Sequence, residues 1–312
     1  MRWWGRSTTE FPPLIVICGA TATGKTRLSL ALAQSIPGAE IISADSRQVY
    51  RAMDIGTAKV SAEQRALVPH HGLDLADPDE TFTAADYQQA ATSALTAIAA
   101  RGGTALLVGG TGLYLRAVAR GMALSDTGQD TVARADLERR LAGEGLHVLV
   151  AQLRSAAPGV AAQTDLANPR RVVRALERVS LHGDAPPPAP RGYPAQSVWI
   201  GLQLEPAVHR GWISSRARAQ FASGLLDEAA ALRSRYDAAL PAFTAFGYHE
   251  AFAVLDGVLS LEQAIERDAT RTWQFARRQR TWFRSEPDVK WFDPAARLED
   301  VRDYVLRVSG LG

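Results

Sequence analysis

A chain of 312 residues with 46% hydrophobic content is long enough for one large or two ordinary domains with a full core. Its single cysteine, Cys18, excludes a disulfide framework and leaves no Cys/His set for zinc, which places the expected compartment in the reducing cytoplasm. The net charge is only +2, yet the pI near 8.8 and an uneven spread of arginine leave room for local basic faces. Residues Met1 to Glu10 read as a frayed lead-in without a signal-peptide run, and no stretch approaches the roughly 18 apolar residues of a membrane span.

Leu14 to Cys18 is a short apolar run rich in Ile and Val, the signature of a buried strand. It runs directly into Gly19-Ala20-Thr21-Ala22-Thr23-Gly24-Lys25-Thr26 and then an apolar-periodic segment, Leu28 to Ile36. Strand, G-x-x-x-x-G-K-T loop and helix in this order make a phosphate cradle. The glycines let the backbone curl, N–H groups and the helix N-terminus face the anion, Lys25 adds a point charge, and the Thr26 hydroxyl reaches a divalent metal. The loop does not distinguish a nucleoside triphosphate from a small organic diphosphate.

Ala39 to Asp45 reads as a second strand that delivers Asp45 to its carboxyl end, where ligands of open α/β sheets sit. Residues 46 to 82 suggest a long ordered loop containing His70 and His71. Thr83 to Arg101 has helical spacing and stops at Gly102-Gly103. Thr104 to Val108 gives another buried strand, which leaves through a second glycine-rich exit, Gly109-Gly110-Thr111-Gly112. From Ser125 to about Arg191 the texture is Arg-rich and helical, closing in a Pro-rich run from Ala185 to Pro190. Ser197 to Leu204 restores strand character, and everything from His209 onward reads as helical, ending in a long helix from about Leu261 to Arg284.

The pattern predicts an α/β fold: a P-loop parallel sheet core with helices on both faces, a helical insertion domain and a helical C-terminal region. The expected boundaries are 1–124 for the first part of the core, 125–192 for the insertion and 193–312 for the return to the core.

Asp45 is the strongest catalytic candidate, able to hold a metal, accept a proton from a nucleophile, or both; a turn or N-cap role is the alternative. Gln48 carries the amide that reads adenine edges. Thr111 presents a hydroxyl between glycines, either to a substrate or merely in a tight turn, and the His70–His71 pair is open between function and chance. Arg216, judged by its helix alone, belongs on the surface. The last long helix interleaves Arg267, Arg271, Arg277, Arg278, Arg280 and Arg284 with Trp273, Phe275, Trp282 and Phe283, which fits an RNA backbone with stacked bases.

The ordered set resembles the tRNA dimethylallyltransferase (tRNA isopentenyltransferase) family of the bacterial type. It runs from the phosphate loop through Ile42 to Arg51, Ile55 to Lys59, Pro69-His70-His71, Val108 to Tyr114, Arg174 to Glu177, Gly247-Tyr248-His249-Glu250 and Arg277 to Phe283. The resemblance implies transfer of a dimethylallyl group from dimethylallyl diphosphate to the exocyclic amine of the adenosine 3′ of the anticodon, in tRNAs reading U-initial codons. Mg²⁺ would assist at Thr26 and Asp45, and pyrophosphate would be released. Lys25, Asp45, Thr111 and Arg216 match the family's catalytic residues, with Asp45 as general base, and Gly19 through Thr26 with Arg216 match its diphosphate site, which overturns the surface reading of Arg216.

Contacts to the tRNA anticodon stem-loop are implied for Asp45, Ser46, Arg47, Gln48, Thr111, Arg170, Arg171, Val172, Val173 and Arg174. They are implied also for Gly247, Tyr248, His249, Arg277, Arg278, Gln279, Trp282 and Arg284. A monomer without membrane or zinc is expected. The chain departs from the family pattern at Asn168-Pro169, Trp212, Gln220 and Arg277. A P-loop small-molecule kinase, an adenylate prenyltransferase and a nucleotide-dependent RNA-binding module are the competing readings.

Overall fold

A computed structural model describes residues 10–124 and 131–309; the lead-in at 1–9 and the expected start of the insertion at Ser125 lie outside them. The chain divides into two compact units, Met1–Gly121 with Gly192–Gly312, and Met122–Arg191.

In the larger unit the elements run β1 (Leu14–Gly19), α1 (Lys25–Ser35), β2 (Ala39–Ser43), α2 (Ala62–Leu67), β3 (His70–His71), α3 (Ala84–Ala100), β4 (Thr104–Gly109) and α4 (Gly112–Ala119). The smaller unit holds α5 (Thr131–Glu144), α6 (Leu146–Ala156), α7 (Pro158–Gln163) and α8 (Pro169–His182). The larger unit resumes with β5 (Ser197–Leu202), α9 (Pro206–Ala222), α10 (Leu225–Arg233), α11 (Tyr248–Leu255), α12 (Leu261–Arg284), β6 (Val289–Phe292) and α13 (Leu298–Ser309).

All six strands pair in parallel, in the order β3-β2-β4-β1-β5-β6. Parallel strands are covered on both faces, so their runs are apolar throughout rather than alternating. Leu14, Val16 and Cys18 of β1 join a core with α3, α4 and the helices from α9 to α12. Ile15 and Ile17 turn to the opposite face and pack with Leu32 and Ile36 near α1 and Val301 and Val305 of α13.

The sequence expectation of helix alone after His209 fails at β6. Only four residues long and carrying Lys290, β6 has too little apolar patterning to announce itself, yet it extends the sheet beside β5. Gly201 makes this possible, because a Cβ there would sit 2.6 Å from the Trp291 ring. Residues 46–82 form more than a loop. They contain α2, started by a Ser61/Gln64 capping box, and the edge strand β3. Their first half is pinned by the Glu228 carboxylate, which accepts the N–H groups of Asp54, Ile55 and Gly56 at 3.0, 2.7 and 3.0 Å.

In the smaller unit α8 begins at Asn168, whose side chain caps Arg171 N–H, followed by Pro169 at the first helical position. The Asn-Pro departure is therefore a helix start. No helix of the described residues is long and apolar enough to cross a membrane.

Candidate active site

Three neighbouring strands, β2, β4 and β1, end at one edge of the sheet and deliver Asp45, Thr111 and the phosphate loop in that spatial order. Adjacent strands lie about 4.8 Å apart, so the strand ends that carry Asp45 and the phosphate loop stand roughly 10 Å apart, with the strand leading to Thr111 between them. Gly109 and Gly112 are required by packing: a Cβ would meet Ala44 O at 2.0 Å from the first and the Trp282 ring at 2.4 Å from the second. A cavity of about 480 Å³ opens on this edge, lined by Thr21 to Thr26, Asp45 to Gln48, Gly109 to Thr111, Arg216, Asp268 and, from α12, Phe275, Arg278 and Gln279.

Within the loop, Ala20 O accepts from Lys25 Nζ at 2.6 Å and from Thr23 Oγ1 at 2.9 Å. Gly24, at φ 86°, starts α1 from the left-handed region. The loop's support comes from distant helices. Thr21 donates its N–H to Gln279 Oε1 at 2.8 Å, accepts from His209 Nε2 at its carbonyl at 2.8 Å, and accepts from Arg216 Nη1 at its hydroxyl at 2.9 Å. The expectation that the loop's N–H groups point inward does not extend to Thr21, whose N–H is committed to Gln279. Gly19, at φ 140°, adopts the backbone conformation that the expected curl needs, and it has a second role. A Cβ there would lie 2.6 Å from Leu202 O, so this glycine admits β5.

Burial pulls the Lys25 ammonium down to about 8, with Asp45 opposing the shift and Arg216 assisting it. Burial also lowers the Arg216 guanidinium, against the pull of Asp45 and Asp268. Arg216 therefore lines the cavity, contrary to its surface reading. Asp45 Oδ1 accepts Arg47 N–H at 2.8 Å, which makes a local turn and leaves Oδ2 without a hydrogen bond among the described residues. Thr111 Oγ1 accepts Ser46 N–H at 3.0 Å, so the hydroxyl is tied to the residue after the carboxylate.

Several expected contacts resolve into scaffolding. The Gln48 amide is engaged on both sides, donating to Thr57 O and Ala58 O and accepting from Ser43 Oγ, so adenine reading is replaced by loop bracing. Val172 and Val173 are buried in the apolar core of the smaller unit, and their side chains cannot touch RNA, whereas Arg170 and Arg171 are exposed. Arg174 pairs with the buried Glu177 at 2.8 Å. The Tyr248 ring is fully buried against Gly56, and its hydroxyl donates to Glu228 at 2.7 Å. Gly247, at φ 89°, bends the chain into α11, while His249, Arg277 and Arg284 lie exposed. Trp282 is stacked under Arg116, whose guanidinium sits 4.3 Å from the ring centre. His71 bonds Glu40 at 2.7 Å, and His70 Nδ1 bonds Val68 O, which makes the pair an edge-strand support.

Sequence reasoning missed His209 and Asp268. Burial, reinforced by Glu250, pushes the Asp268 carboxyl up to about 6, while Arg216 and Thr272 oppose this. A carboxyl held above its ordinary value stabilises the fold fully below about pH 4, and that contribution is lost as pH rises through 6. Asp268→Asn is accordingly expected to be more stable than the parent at pH 8 by about 1–3 kcal/mol, with a higher melting temperature, and to converge with it near pH 4. Thermal melts at both pH values check this; a pH-independent difference would remove the titration as its cause.

The sheet order, with the phosphate-loop motif and a carboxylate lining one cavity, defines a P-loop α/β protein. A family model described as IPP transferase matches residues 48–286, and the chain belongs to that family. It is 43% identical to the tRNA dimethylallyltransferase of Anaeromyxobacter sp. (strain K), over 94% of this chain and 97% of that one. It is 46% identical to the tRNA dimethylallyltransferase of Roseiflexus sp. (strain RS-1), over 89% of this chain and 92% of that one. Among solved structures, the full-length tRNA isopentenylpyrophosphate transferase from Bacillus halodurans superposes with a TM-score of 0.71 at 38% identity, over 96% of this chain and 97% of that one.

Proposed function

We propose that this chain transfers a dimethylallyl group from dimethylallyl diphosphate to the exocyclic amine of the adenosine 3′ of the anticodon, in tRNAs reading U-initial codons, and releases pyrophosphate. The observation that carries this reading is the single cavity joining the phosphate loop, Asp45 and Thr111 to the Arg278 and Phe275 face of α12. A small-molecule kinase needs the cradle and the carboxylate but not a basic, aromatic outer face.

In the reaction the adenine nitrogen bonds to the first carbon of the prenyl group as the bond from that carbon to oxygen breaks. Asp45 takes the amine proton. Lys25 and Arg216 hold the charge that grows on the departing diphosphate, which in a buried site counts for more than in water. Thr111 orients the amine beside Asp45. The target base is reached only when it leaves the anticodon stack, so a flipped nucleotide enters the cavity.

Thr26 and Asp45 offer oxygen ligands suited to Mg²⁺, which would neutralise diphosphate charge. Mg²⁺ is commonly bound through one or two carboxylates together with substrate phosphates, a role Asp45 would fill beside the Thr26 hydroxyl. Arg170 and Arg171 of the smaller unit and Arg277, Arg278 and Arg284 of α12 contact the anticodon stem-loop. The enzyme works as a cytoplasmic monomer.

The test is incubation with labelled dimethylallyl diphosphate, Mg²⁺ and unmodified tRNA. Label in the RNA supports the reading. Label in adenosine monophosphate alone, or phosphoryl transfer from ATP to a metabolite, would sink it.

The Lys25 ammonium gives a further expectation. In the free enzyme it loses its charge as pH rises through about 8, so kcat/KM for the diphosphate should fall tenfold per pH unit above that point. The bound diphosphate anion favours the charged ammonium, so kcat should fall only at higher pH. Steady-state profiles from pH 6 to 10 separate the two; identical breaks would dissociate Lys25 from diphosphate binding.

A further inference from the structure

β1 and β4 pair in parallel as far as Cys18 opposite Gly109, and beyond that register their chains diverge into the phosphate loop and the second glycine exit. Divergence leaves backbone groups at the sheet edge without ladder partners, and buried groups of this kind need a substitute. One side chain supplies it. Gln279 Oε1 accepts Thr21 N–H at 2.8 Å, and Gln279 Nε2 donates to Gly110 O at 2.8 Å. The carboxamide thus adds one rung between the two exits.

Two further facts fix this arrangement. Gln279 is only 7% exposed, whereas its neighbours Arg277 and Arg278 are exposed. A Cβ on Gly110 would lie 2.5 Å from Gln279 Nε2, so the glycine makes room for the amide. One turn away on either side, Ala276 packs with Ala20, and Trp282 fills the space beside Gly112.

We infer that Gln279 is a positioning residue that sets the gap between the leaving-group cradle and the nucleophile, rather than a contact to RNA. Gln279 ties Thr21 to Gly110, Thr111 follows Gly110, and Thr111 Oγ1 takes the N–H of Ser46 beside Asp45. A continuous line of bonds therefore joins the holder of the diphosphate to the base. Misplacing reacting atoms by about 1 Å costs on the order of a hundredfold in rate. The inference rests on the proposed prenyl transfer.

The experiment compares Gln279→Met, which fills the space and makes neither bond, with Gln279→Glu, which keeps the acceptor for Thr21 and loses the donor to Gly110. Single-turnover transfer at saturating tRNA and dimethylallyl diphosphate is expected to fall about 30- to 100-fold in both. Filter-binding Kd for tRNA, and its salt dependence, should stay within twofold. A tenfold weaker Kd, or unchanged turnover in either variant, overturns the inference, as does loss of the folded state in both by thermal melting. Failure of the parent enzyme to prenylate tRNA would instead sink the functional reading. The strut would then be judged by pyrophosphate binding in calorimetry, expected to weaken in both variants and, if unchanged, overturning it.

Discussion

Asp45→Asn is expected to lower single-turnover prenyl transfer by about 10²- to 10⁴-fold while tRNA affinity changes little. Asparagine is the informative replacement because the amide oxygen can still accept Arg47 N–H, the bond that shapes the turn. What it lacks is the capacity to take a proton. The second carboxylate oxygen makes no hydrogen bond among the described residues and is available for that role. Single-turnover rates and filter-binding constants, measured side by side, check the separation. A rate within tenfold of the parent would remove Asp45 from the base role.

Arg216→Ala carries the second large effect, a loss of about 10²- to 10³-fold in kcat/KM for dimethylallyl diphosphate. The guanidinium is held at the cavity by the Thr21 hydroxyl and faces two carboxylates, so it is positioned before any ligand arrives. A buried positive charge aimed at an anion is costly to maintain, and removing it need not lower the melting temperature. Arg216→Lys should recover only part of the activity, because a point charge replaces a planar fork. Activity within threefold of the parent in both variants would return Arg216 to a scaffold role.

Legibility in the sequence followed the range of the contacts. The cradle could be read because its chemistry lies within eight consecutive residues, and Asp45 because a strand ends there. The sheet core with helices on both faces followed from apolar runs separated by helical periods. His209, Arg216 and Gln279 could not be placed in this way, since each meets Thr21 across 188, 195 and 258 residues. Their roles depend on which face of a helix meets a loop, and no local pattern encodes that.

Tyr248, Val172 and Val173 illustrate the reverse error. They stand among residues whose neighbours face solvent, yet their own side chains fill cores. Gln48 looked like a reader of bases because an amide serves both purposes, and only its engaged partners distinguish them.

The three-point grip on Thr21 also has a consequence for biosynthesis. The loop is synthesised 258 residues before its last brace, Gln279. At roughly 5–20 residues per second, about 13–50 s pass before that brace is even translated. A nascent or prematurely terminated product that lacks α12 therefore carries an unfinished anion trap, and competence arrives only once Gln279 has been added.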